Sequence, residues 1–130
     1  MRARAVDWSL FLLIGFEFVS GLTSFTVGSE DGRALFVIHG MVGLAIIGLL
    51  FFKFRRVRRR VTEPRRWQRA TIVSILVSLA AIGSLVTGIL WTTVQRPLGY
   101  PNGMILHTTF GIALVVLYLW HMVLRYRPLT

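Results

Sequence analysis

The sequence predicts an all-α integral membrane protein, a four-transmembrane-helix bundle forming a single domain over residues 1–130. Three observations predict it. Hydrophobic residues are 55% of the 130 positions and charged residues only 15%, whereas a soluble domain carries about 25% charge. Four apolar stretches, roughly 8–27, 34–54, 70–91 and 104–124, account for most of the chain. Each is close to the ~20 residues that cross ~30 Å of hydrocarbon at 1.5 Å per residue. The basic residues are gathered rather than spread, with nine of the fifteen in the single link KFRRVRRRVTEPRRWQR.

Span 1 follows Arg2 and Arg4, a pattern that imitates a signal peptide. Its apolar run is too long and offers no convincing small-residue cleavage site, so it reads as a retained span. Span 2 opens on HGMVG, His39 to Gly43, and runs into the basic link. Pro64 marks that link just before span 3, and Pro97, Gly99, Pro101 and Gly103 mark the connection from span 3 to span 4 as irregular. Span 4 opens on HTTFG, His107 to Gly111, and contains His121 further on.

Charge sets the expected orientation. The formal net charge is +10, which in a soluble protein would suggest nucleic acid. Here the basic run lies between two apolar spans, and no nucleic-acid partner is expected. With four spans, the basic link, Arg2 and Arg4 before span 1, and Arg125 and Arg127 after span 4 fall on one side. Arg33 and Arg96, offset by Glu30 and Asp31, fall on the other. The positive-inside rule then places both termini in the cytoplasm, in a multi-pass protein of the cell inner membrane or plasma membrane. The basic link is expected to touch anionic lipid head groups. Trp8, Trp67 and Trp120 fall near the expected inner interface, and Trp91 and Tyr100 near the outer one.

The two halves look related. FVSGL near the end of span 1 carries Gly21, and LVTGI near the end of span 3 carries Gly88. The interval from Gly21 to His39 in one half matches, to within a single position, that from Gly88 to His107 in the other. Matched motifs at matched spacing suggest a duplicated two-helix hairpin.

All three histidines lie within the apolar spans, where an imidazole is costly unless something binds it. His39 and His107 lie at similar depth on spans 2 and 4, as one haem iron held by two imidazoles requires. The plain alternative is a pair of buried histidines hydrogen-bonded to Ser, Thr or carbonyl groups. Gly21, Gly40, Gly43, Gly88 and Gly111 lie at the same level and let a flat macrocycle approach the backbone; small residues at helix packing contacts predict the same glycines. The interval from His107 to His121 is close to four full helical turns. Both therefore face one side of span 4, about 21 Å apart along its axis. The same interval counted on from His39 falls on Lys53. Three inner arrangements stay open: Lys53 ligates, His121 holds a haem alone, or there is no inner site.

This pattern resembles the haem-binding core of b-type membrane cytochromes, the cytochrome b and b6 proteins and the cytochrome b561-like subunits. The resemblance covers nearly the whole chain. It implies His39 and His107 as ligands of an outer haem b, and His121 as one ligand of a second, inner haem. Lys53 stands where the di-haem proteins carry histidine, and the quinone-loop motifs of cytochrome b are not visible.

Glu17, near the middle of span 1, is expected to face the bundle or a water-filled pocket, with a proton or quinone role, a bond to a carbonyl or a contact with another subunit as its readings. Arg33 and Arg96 are candidates to hold haem propionates in a guanidinium fork. Ser74, Ser78, Ser84, Thr87 and Thr108 read as helix-packing or backbone-bonding residues. No nucleophile with a positioned base and no phosphate-binding loop is seen, so chemistry should belong to a cofactor. The expected function is electron transfer through bis-His haem. Its expected partners are a quinone and the other subunits of a larger redox complex, rather than the substrate of a stand-alone enzyme. A pigment-binding (chlorophyll) or structural subunit of a photosynthetic or respiratory complex is the alternative. A cofactor-free scaffold or small transporter leaves the three histidines unexplained.

Overall fold

The computed structural model describes residues 2–26, 32–94 and 103–125. They form α1 (Ala3–Thr26), α2 (Arg33–Thr62), α3 (Arg69–Val94) and α4 (Gly103–Arg125). A single 3₁₀ turn, Pro64–Arg66, lies between α2 and α3. No strand occurs among the described residues, and all four helices are long and apolar enough to cross a membrane. The chain divides into two compact units, Met1–Arg58 and Arg59–Thr130.

In the first unit, α1 packs against α2. Ser20 meets His39, while Asp7, near the start of α1, meets Lys53 far along α2. Contacts that run in opposite directions along the two helices make the pair antiparallel. In the second unit, Ser84 meets His107 and Ser74 meets His121, so α3 and α4 are antiparallel too.

Many large apolar side chains point away from the protein, among them Leu12, Met41, Phe51, Leu79, Val116 and Val123. In water such a surface would be a liability; in hydrocarbon it is ordinary solvation. Hydroxyls along these helices are satisfied inside their own helix. Thr23, Ser78, Thr87 and Thr109 each donate to the carbonyl four residues back, at 2.7–2.8 Å. Ser78 and Thr87 thus do what the sequence suggests; Arg96, Pro97, Gly99 and Tyr100 lie outside the described residues.

The helix boundaries exceed the predicted spans most at α2. The basic run reads as a link in the sequence, yet α2 continues through it to Thr62. Arg and Lys are good helix formers, so loss of apolarity ends the span without ending the helix. The stop is steric: Glu63 precedes Pro64 and is extended, with φ −108° and ψ 91°. Trp67 then folds back, its indole N–H donating to the Val61 carbonyl at 3.1 Å. α3 starts on Gln68, whose carbonyl accepts from Thr71 and Ile72 and whose N–H reaches the Thr71 hydroxyl at 3.4 Å.

Candidate functional site

Within the first unit, Glu17, Ser20 and Gly21 share one face of α1 through their three- and four-residue spacings. All three meet His39. The Ser20 hydroxyl lies 2.8 Å from His39 Nδ1 and donates to the Glu17 carbonyl at 3.1 Å. A hydroxyl has one proton, and a carbonyl can only accept. Ser20 therefore accepts from His39, and Nδ1 carries a proton. On the other side of the ring, Glu17 Oε2 lies 3.1 Å from Nε2. The second carboxylate oxygen, Oε1, is buried and has no hydrogen-bond partner among the described residues. A Cβ on Gly21 would sit 3.5 Å from His39 Cε1.

Within the second unit, His107 Nδ1 donates to the Ser84 carbonyl at 2.7 Å, with the Ser84 hydroxyl at 3.4 Å. A Cβ on Gly88 would sit 3.0 Å from both Cε1 and Nδ1 of that ring. Gly111 lies on the same side: its Cβ would be 3.7 Å from the Ser84 hydroxyl. Further along, His121 is buried and its Nδ1 lies 3.2 Å from the Ser74 hydroxyl. Ser74 donates its proton to the Ala70 carbonyl at 2.9 Å, so it too accepts from the ring.

One arrangement recurs at all three histidines. Each has Nδ1 against a serine of the helix packed on it, and with the proton on that nitrogen the neutral ring keeps its lone pair on Nε2. Backbone or hydroxyl anchoring of one nitrogen is how imidazole ligands are oriented toward a metal.

The Ser20–His39–Glu17 order resembles a hydrolytic relay, but the proton runs the wrong way. Ser20 directs its proton to the Glu17 carbonyl rather than to the ring. A nucleophilic serine must give its proton to the base.

No family model, curated protein or solved structure matches the chain.

The two units show one contact pattern twice. A single constant offset in sequence carries Asp7, Glu17 and Gly21 onto Ser74, Ser84 and Gly88. An offset longer by a single position carries His39 and Lys53 onto His107 and His121. The matched positions touch matched partners, though through different atoms. Gly21 abuts His39 as Gly88 abuts His107, and Glu17 holds His39 as Ser84 holds His107. Lys53 Nζ meets Asp7 Oδ1 at 2.8 Å where His121 meets Ser74. An ammonium paired in this way has no lone pair for a metal.

The other expected positions are placed less tellingly. Arg33 is exposed as the first residue of α2, Gly40 is exposed, and Gly43 is buried within α2. Arg96 lies outside the described residues. Three residues that sequence reasoning does not attach to the histidines are Ser20, Ser74 and Ser84. A fourth missed position is Gly83, whose Cβ would lie 2.7 Å from the Phe110 ring. Among the described residues, no cluster of three or more His, Asp or Glu side chains is arranged to hold a bare metal ion.

Proposed function

We propose that the chain is a membrane-embedded b-type cytochrome subunit, with His39 and His107 as imidazole ligands of haem iron. What supports this reading is that His39 and His107 are each held through Nδ1 from the helix packed against them, an anchoring that orients imidazole ligands through Nε2; the same contacts belong to plain buried, hydrogen-bonded histidines, and the absorption spectra below decide between the two. A bound haem would supply reversible one-electron chemistry at its iron.

The donor set suits that group. Imidazole is an axial ligand of haem iron, and the absence of cysteine from the sequence removes thiolate as a competitor. Gly21 and Gly88 let the His39 and His107 rings lie close against the backbone of the neighbouring helix. Ser20 and Ser84 hold the rings against rotation. Arg33, shortly before His39 on α2, is a propionate partner in this reading, and Arg96 is its counterpart. His121, anchored on Ser74, is a single imidazole for an inner haem; Lys53 is retained as a partner of Asp7 instead. The electron partners in this reading are a quinone and neighbouring subunits.

A second reading draws on the completeness of each anchor within one helix pair. One imidazole per pair suits magnesium macrocycles, which take a single imidazole each. Absorption spectra of the purified protein, oxidised and then reduced, separate the two cofactors. Variants then separate the ligand counts. Two imidazoles on one iron give non-additive losses: His39→Ala and His107→Ala each convert the low-spin signal to high-spin or abolish it, and the double variant costs little more. Two halves that add would reject a shared iron. Pyridine haemochrome stoichiometry near two per chain, reduced by one in His121→Ala, supports the inner site; a ratio of one, unchanged in that variant, rejects it.

A further inference from the structure

Resting on the haem reading above, we propose that Glu17 is a latch on His39, holding the metal-binding nitrogen until ligation displaces it. His39 is anchored through Nδ1, so Nε2 is the atom a metal would take, and Glu17 Oε2 lies 3.1 Å from that atom. The carboxyl and an iron cannot both have it. The second unit is built differently at the matching position. There Ser84 replaces Glu17 in the register and holds its histidine from the Nδ1 side. An acid therefore faces Nε2 of His39, whereas the residue at the matching register position faces Nδ1 of His107.

The latch is made to open. Glu17 Oε1 is buried with no hydrogen-bond partner among the described residues. Swinging the carboxyl away thus breaks one side-chain hydrogen bond rather than two. The proton count closes as well. Ser20 has committed its proton to the Glu17 carbonyl and accepts from Nδ1, so one further proton lies between Nε2 and Oε2. When Nε2 gives its lone pair to a metal, that proton stays on the carboxyl. No proton is released and no electron moves. Glu17 is a positioning residue in this scheme, acting through His39.

The test is haem titration into the empty protein in detergent, read by the conversion of five-coordinate high-spin to six-coordinate low-spin absorption. Wild type should convert in two phases, the second depending on His39. Glu17→Ser, which installs the residue of the matching position, should remove the delay and tighten the second phase on the order of tenfold, the worth of one hydrogen bond to a charged or strongly polar group. Glu17→Gln should keep the delay, because its amide N–H still donates to Nε2. Infrared difference spectra of loaded minus empty wild type should show a carboxyl band that moves and that Glu17→Gln abolishes. This measurement decides the matter even where Glu17→Ser fails to fold. Wild-type haem uptake with an unmoved carboxyl band, or equal titrations of Glu17→Ser and wild type, would overturn the latch alone. No haem uptake by wild type would overturn the haem reading with it.

Discussion

Gly21 and Gly88 occupy matched positions but do not carry the same constraint. Replacing a helical glycine by alanine gains up to about 1 kcal/mol from backbone entropy and propensity. At Gly21 the new methyl would be 3.5 Å from His39 Cε1, an ordinary contact, so the gain survives. At Gly88 it would be 3.0 Å from two ring atoms of His107. That ring cannot retreat easily, because its Nδ1 is held at 2.7 Å by the Ser84 carbonyl. Overpacking of this kind costs about 1–3 kcal/mol, which exceeds the gain. Thermal unfolding in detergent should therefore show Gly21→Ala at or above wild type and Gly88→Ala below it. On the haem reading, uptake should also fall in Gly88→Ala with the displaced ring. The reverse order would deny that His107 is pinned.

At the scale of helices, the two pairs use one scaffold with different chemistry at its far level. Asp7–Lys53 in one pair matches Ser74–His121 in the other. If the positions are equivalent, the ion pair should be portable. His121→Lys alone puts an unmatched ammonium at a buried position and should cost about 2–3 kcal/mol. Adding Ser74→Asp should recover at least half of that, giving a coupling of about 1 kcal/mol or more in a double-mutant cycle. Additive losses would mean that the register match does not extend to this level. The same pairs separate what a sequence reveals from what it hides. Four spans are readable because length and apolarity are properties of single segments. The true end of α2 is not, since the Arg-rich run looks like a link by polarity while it favours a helix by propensity. The histidines stand out as polar groups in hydrocarbon. Their serine anchors do not, because a helical serine ordinarily bonds its own backbone. The partnerships span 19, 23 and 47 residues of sequence, which is tertiary information. One signal is available: carrying the glycine-to-histidine repeat outward aligns Asp7 with Ser74 and Lys53 with His121.

For the molecule as a whole, charge decides how the four helices enter the membrane. Nine basic residues lie from Lys53 to Arg69, and Arg2, Arg4, Arg125 and Arg127 lie at the ends that share their side when all four helices cross. The other side has Arg33 and Arg96 against Glu30 and Asp31. α2 strengthens the bias by keeping Lys53, Arg55, Arg56, Arg58, Arg59 and Arg60 on a continuous helix. The stretch from Lys53 to Thr62 extends it by about 15 Å at 1.5 Å per residue, enough to pass the ~5–7 Å head-group layer. Translocating this segment would take six fixed charges through hydrocarbon, each costing about 2.5–3.5 kcal/mol on insertion scales. Retention in the cytoplasm is the expected outcome. A reporter fused after Thr130 should then read cytoplasmic, and one inserted near Asn102 should read external. Changing Arg55, Arg56, Arg58, Arg59 and Arg60 to Gln should blur that difference, because it removes five of the thirteen basic residues that set it. A Thr130 fusion that reads external would reverse the orientation.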